Sequence, residues 1–271
     1  MKTGELSVLS EQIVIEGTGR LGLVTLNRPT DLNPLDWDTI RELAAVVEHL
    51  AADSAVRLIA ITGAGRAFSA GGDLKRYQAL QRDRIQFPLY LEDLSALIRL
   101  LGQVPKPCVA LVNGLAVAGG LELILACDFA IGAKSARLGD CHQNYGQMGG
   151  AGVLTLLPRI VGPMRARELI ITGRLLSADE ALQWGLLSAV VEEADLREAA
   201  IALCRGLNAK SPLAVANAKK ALNESLWDGT GWTEGLKSER EATAEYCLTS
   251  EDAPEGLQAF ADKRAPRWQG R

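Results

Sequence analysis

From Leu115 to Cys127 the chain reads LAVAGGLELILAC, a run whose one ionisable side chain is Glu122. Such a run belongs inside a protein, and it is too short to span a bilayer. A buried carboxylate without partners is costly, or its pKa rises. Any fold that accepts this run must therefore partner Glu122 or use its proton affinity. Gly119-Gly120 stand just before a helical pattern, where first-turn N–H groups are left free and, with the helix dipole, suit a developing oxyanion. A carboxyl of raised pKa is what general acid/base chemistry near neutral pH requires. The alternative, a solvent-facing glutamate on an amphipathic helix, is opposed by Leu121, Leu123, Ile124 and Leu125 around it.

A second constrained stretch lies upstream. Gly63, Gly65, Gly71 and Gly72 fall within ten positions after a strand pattern at Leu58–Thr62. Glycine there permits positive φ and close approach of backbone amides to a ligand. A dinucleotide fingerprint would need glycine where Phe68 stands, and a phosphate loop would need a Gly-Lys-Ser/Thr ending that is absent. A tight surface turn is the simpler alternative.

Around these stretches the pattern alternates. Ile13–Glu16 and Gly22–Leu26 read as a hairpin through Gly17-Thr18-Gly19-Arg20. A helix over Trp37–Ala52 follows Asp36 as N-cap, and another lies near Leu91–Leu101. Cys108–Val112 is a strand, Gly119–Cys127 a helix, and Phe129–Gly132 and Ala136–Gly139 short strands. Alternating strands and helices indicate an α/β class. No repeat is strong enough to define a solenoid. After Gly152 the pattern turns helical, with a capping box at Ser177-Ala178-Asp179-Glu180, a helix over Leu196–Leu207, and terminal helices over Pro212–Trp227, Trp232–Leu248 and Ala253–Lys263. Gly229-Thr230-Gly231 separates the first two of these. Strand character there is limited to Val190-Val191. The expected division is a core over residues 1–205 and a helical assembly region over 206–271.

With 271 residues, 48% of them hydrophobic, the chain can bury a substantial core. A net charge of −4 provides no basic field for nucleic acid or anionic lipid, so neither is an expected partner. Five widely spaced cysteines and two histidines form no disulfide framework or metal signature. The N-terminus lacks an apolar targeting core. The expectation is a soluble, cytoplasmic protein.

The two segments GAGRAFSAGGDL and VNGLAVAGGLELILACD together resemble the signature halves of the crotonase, or enoyl-CoA hydratase/isomerase, superfamily. The resemblance extends from Leu26-Asn27-Arg28-Pro29 and Asn33-Pro34, through Thr172-Gly173 and Gly185-Leu186, to Glu255-Gly256 and Lys263-Arg264-Ala265-Pro266. It implies a crotonase-type spiral of ββα repeats with a C-terminal helical trimerisation region, assembled as a homotrimer or a hexamer of paired trimers. It also implies an acyl-CoA substrate in fatty acid-type metabolism, with coenzyme A as part of the substrate and no separate cofactor. Matched residue by residue, the two oxyanion-binding amides fall on Ala70 and Gly119. Glu122 matches the first of the two catalytic glutamates of the hydratases. The position of the second, within Leu138-Gly139-Asp140-Cys141-His142-Gln143-Asn144-Tyr145-Gly146, is held by His142.

Imidazole can donate or accept a proton near neutral pH, so His142 can serve as acid/base partner, orient Glu122, or bind a polar substrate group. It can equally be a hydrogen-bonded loop histidine. Asp140 and Tyr145 are candidates for the same pocket. Arg28, Lys75 and Lys263 are candidates for CoA phosphates, although surface cations are usually just solvated. Asp73 is expected to bond local amides, His49 carries no assigned role, and the helical stretch near Leu74–Leu91 is expected to line the pocket. The leading reading is enoyl-CoA hydration with Glu122 and His142. Alternatives are isomerisation, or C–C or thioester hydrolysis, at the same residues, and last a non-catalytic binding homologue.

Overall fold

The computed structural model describes residues 6–15, 19–227 and 231–271. The expected hairpin turn at Gly17-Thr18 and the Gly229-Thr230 separator lie outside them. The hairpin itself is β1 (Val8–Val14) and β2 (Arg20–Leu26), antiparallel with Val8 opposite Leu26. Next comes α1 (Trp37–Ala52), capped by Asp36, whose carboxylate accepts from the Thr39 N–H at 3.0 Å. Ile40, Leu43, Val47 and Leu50 form its buried stripe, as the helical spacing requires.

From there the chain winds between two sheets. β3 (Val56–Gly63) lies in the first and β4 (Ala67–Ser69) in the second, followed by α2 (Leu74–Leu80) and α3 (Gln86–Gln103). β5 (Cys108–Val112) and β6 (Leu115–Val117) repeat the step and lead into α4 (Gly119–Ala126). β7 (Phe129–Ala133) and β8 (Arg137–Gly139) repeat it again before α5 (Val153–Val161) and α6 (Pro163–Thr172). The turns end with β9 (Leu176–Ser177), α7 (Ala178–Trp184) and β10 (Ala189–Val191). One sheet has the order β1-β2-β3-β5-β7-β10, parallel beyond the hairpin, and the other β4-β6-β8-β9. This is the expected spiral of ββα turns.

Two expectations need correction. After Gly152 the strand character expected at Val190-Val191 is β10, whereas β9, at Leu176–Ser177, completes the second sheet where only helix was expected. β4 and β6 sit inside what read as glycine-rich loops. These strands have two or three residues each, too few to display a period of two. The Ser177 capping box is present, with Glu180 returning a bond to the Ser177 N–H.

α8 (Leu196–Asn208) covers the far face of the first sheet through Leu196, Ala200 and Cys204. It runs through the expected 205/206 boundary, so the chain leaves this layer only at Ala209–Ser211. α9 (Pro212–Trp227), α10 (Trp232–Thr249) and α11 (Asp252–Ala261) follow. α9 is tied to the core by buried Lys219. Its ammonium meets Asp128 at 2.8 Å and donates to the carbonyls of Leu101 and Lys106 at 2.7 and 2.9 Å. Asp128 also accepts from the Cys108 N–H at 2.7 Å, so one carboxylate links helix and strand. Removing one partner of a buried ion pair strands the other. Lys219→Ala is expected to destabilise the fold by about 3 kcal/mol, measured by chemical denaturation.

Candidate active site

β4 ends at Ser69 and hands over to α2 through Ala70-Gly71-Gly72, with Asp73 as N-cap accepting from the Lys75 and Arg76 N–H groups at 3.1 and 3.2 Å. The Ala70 N–H, expected to be free, donates instead to the Leu32 carbonyl at 2.9 Å. Leu32 reaches it from a left-handed turn, φ 62°. The Gly71 N–H is taken by Ser69 Oγ at 3.2 Å. The amide left without an acceptor among the described residues is that of Gly72, and it is the one available to a ligand.

Opposite stands the start of α4. Gly119, as expected, presents an N–H with no acceptor among the described residues. The two segments touch through backbone. A Cβ on Gly71 would lie 2.9 Å from the Gly119 nitrogen, and one on Gly120 would lie 2.3 Å from the Ser69 carbonyl oxygen. Gly71 has φ +82° in addition. Ala118 just before Gly119 is held at φ 50°, ψ −119° by bonds from its N–H to the Gly139 and Asp140 carbonyls at 3.2 and 3.0 Å. A non-glycine residue in this region is strained.

Glu122 is buried within α4. Its Oε1 accepts from the Ala151 and Val153 N–H groups at 2.8 and 3.3 Å, at the N-terminus of α5, and no protein donor meets Oε2 among the described residues. Burial pushes the Glu122 pKa above the usual 4.5, outweighing the two amides and the charge of His142 that pull it down. His142 opens a 3-10 turn to Tyr145. Its Nδ1 lies 2.8 Å from Oδ1 of Asp140, which is buried behind it. Burial lowers the His142 pKa, but the bond and charge of Asp140 and the charge of Glu122 leave it above the usual 6.5. The two catalytic candidates converge on Gly149, where a Cβ would be 3.1 Å from Glu122 Oε1 and 3.4 Å from His142 Cε1.

Gly72, Gly119, Glu122 and His142 line one cavity of about 810 Å³. Its apolar wall includes Leu35, Leu91, Leu94 and Met148, closed by Tyr77 and Tyr90. The two rings meet edge to face at 6.0 Å, and Tyr90 donates to the Leu35 carbonyl at 3.2 Å. Another cavity, about 760 Å³, lies beside α8 and contains none of these residues.

The remaining candidates divide. Tyr145 stands exposed at the cavity mouth and Lys75 on its rim. Asp140 lies behind His142, outside the cavity lining. Arg28 is committed to Asp36, to Asp31 at 3.1 Å and to Asp73 at 3.6 Å, which leaves no unpaired charge for a phosphate. Lys263 follows α11 and does not reach this cavity within the chain. The free amide of Gly72 and the bonds from the Ala151 and Val153 amides to Glu122 emerge only in the folded chain. The Gly71-Gly72 pair was a signal for the first, whereas nothing local marks the others.

The strain at Ala118 is directly testable. Ala118→Gly is expected to raise stability by about 1 kcal/mol, because relief of the backbone exceeds glycine's entropic cost. Thermal or urea unfolding measures it.

Comparisons with known proteins agree with this architecture. The enoyl-CoA hydratase/isomerase family model matches residues 16–271. The Bacillus subtilis (strain 168) protein YngF, which carries an enoyl-CoA hydratase/isomerase name, is 38% identical over 92% of this chain and 95% of its own. The crotonyl-CoA hydratase of Syntrophomonas wolfei is 34% identical over 94% and 96%. The crystal structure of an enoyl-CoA hydratase from Bacillus anthracis superposes with a TM-score of 0.90 at 34% identity, over 98% of this chain and 100% of that one. The family-model match over residues 16–271, with relatives 34–38% identical over more than nine-tenths of the chain, places it in the enoyl-CoA hydratase/isomerase family.

Proposed function

We propose that the chain adds water across the double bond of a 2-enoyl-CoA thioester, and catalyses the reverse. The observation that carries this reading is the buried Glu122 carboxylate and the His142 imidazole flanking Gly149, in the same cavity as two unpaired amides. The Gly72 and Gly119 N–H groups bind the thioester oxygen. Ionised Glu122 takes a proton from water, hydroxide adds at Cβ, and negative charge moves onto the thioester oxygen. Protonated His142 then delivers a proton to Cα. The product is a 3-hydroxyacyl thioester. Coenzyme A enters with the substrate, Lys75 on the rim is placed for its phosphates, and no other cofactor takes part. Leu222, Leu226, Leu248, Leu257 and Phe260, exposed on the C-terminal helices, support assembly as a trimer or a hexamer.

A second reading, hydrolysis of a thioester or C–C bond, is favoured by the Asp140–His142 contact, since an imidazole bonded through Nδ1 leaves Nε2 free to activate water. The two readings have opposite pH signs. Hydration needs Glu122 ionised and His142 protonated. It is lost as pH falls through a Glu122 pKa above 4.5 and as pH rises through a His142 pKa above 6.5. Hydrolysis by neutral His142 instead rises through that second pKa.

A product-resolved mass-spectrometric screen of acyl-CoAs tests the reading. Glu122→Gln is expected to cut hydration about 10²–10⁴-fold. Undiminished activity in that variant would exclude Glu122 as the base. Gly72→Pro, which removes the amide hydrogen, is expected to cost roughly 10²–10³ in kcat, whereas Gly72→Ala keeps it and stays active. A Cβ at 72 meets only ordinary contacts, 3.7 Å to Tyr77 and 3.9 Å to Tyr90.

A further inference from the structure

We infer that Asp140 is the positioning residue that fixes the tautomer of His142 and keeps its imidazole protonated for proton delivery. The inference rests on the hydration reading for its catalytic consequence, but its structural content stands apart from it.

Three observations carry it. First, the chain reverses at Cys141, held at φ 56°, so that the flanking side chains at 140 and 142 face each other, Oδ1 to Nδ1 at 2.8 Å. Second, Asp140 is 1% exposed and its only described side-chain partner is His142. A buried carboxylate in that setting accepts an N–H rather than facing a lone pair, so Nδ1 carries a hydrogen and Nε2 is left for the cavity. Third, the Asp140 carbonyl accepts from Ala118, the residue before Gly119. One residue thus aims the imidazole with its side chain and steadies the oxyanion amide with its backbone. The side-chain substitution tests the first role without touching the second.

The charges that bear on the imidazole are Asp140 on the turn after β8 and Glu122 from α4. Cys141 and Tyr145 are the other titratable groups on its own turn. Toward α6 that turn is anchored by neutral contacts, Asn144 Nδ2 and Cys141 Sγ to the Gly173 carbonyl at 2.9 and 3.5 Å. Glu122 is retained in the test variant, so its contribution stays constant.

The chain has two histidines, His49 and His142. His49 is exposed on α1, so His49→Gln assigns the two sets of imidazole ¹⁵N resonances. In wild type, His142 is expected to titrate above 6.5 and, once neutral, to show a protonated Nδ1. In Asp140→Asn the proton affinity of His142 is expected to fall about tenfold. The basic limb of the kcat profile should move down with it while KM changes little. An Nε2–H tautomer in wild type, or a His142 midpoint unchanged by Asp140→Asn, would overturn the inference. The wild-type tautomer decides the matter even if the variant fails to fold. If the His142 midpoint falls while the kcat limb stays in place, Asp140 is upheld as the residue that tunes the imidazole, and the failure belongs to His142 as the acid in hydration.

Discussion

Everything at the cavity depends on two backbones meeting without side chains between them. The Ser69–Gly72 turn and the Ala118–Gly120 entry to α4 come close enough that a Cβ on Gly71 or Gly120 would penetrate the opposing chain. That contact is possible because β4 and β6 are parallel neighbours in the second sheet, so the segments leaving them run side by side. It brings the N–H groups of Gly72 and Gly119 to one cavity wall. Ala118 sustains a conformation that costs on the order of 1–3 kcal/mol, held by two carbonyls of the 139–140 turn. The spiral is therefore a means of placing three turns, at 70–72, 118–119 and 139–142, around one space.

Into that space the fold puts a carboxylate that burial disfavours as a charge. Glu122 Oε1 accepts from two amides at the start of α5, and its other oxygen meets no protein donor among the described residues. An imidazole on the far side of Gly149 complements it. In the proposed reaction these groups hold opposite protonation states at once, and each favours the other's charged form. Asp140 biases that arrangement from behind the imidazole. In the proposed reaction an Asp-supported histidine serves as the second proton-transfer group, which moves one of its titrations toward neutral pH.

Much of this was legible in the residues. Asp36 and the Ile40, Leu43, Val47 and Leu50 stripe delimited α1, and the isolated Glu122 in an apolar run announced a buried ionisable group. The five-residue strand Cys108–Val112 was visible because an apolar run follows Pro105 and Pro107 and ends at Asn113-Gly114. What escaped was non-local. β4, β6 and β9 are too short to carry a period and exist because of their sheet neighbours, β4 pairing with β6 and both β6 and β9 pairing with β8. The occupation of the Ala70 amide depends on Leu32, far away in sequence and distinguished only by a left-handed turn. Arg28 read as an available cation because its acidic partners Asp36 and Asp73 become neighbours only after folding. Asp140 read as a pocket residue because its pairing with His142 depends on the turn at Cys141.

In the proposed reaction Gly72 and Gly119 form an electrostatic site for a thioester carbonyl. The most direct measurement is isotope-edited infrared spectroscopy of saturated acyl-CoAs, ¹³C-labelled at the thioester carbonyl and bound to the wild-type protein without turnover. The expected result is a carbonyl stretch displaced to lower frequency than in water, as two aligned N–H donors polarise the bond. A stretch at the free-solution frequency in a saturated complex would contradict it.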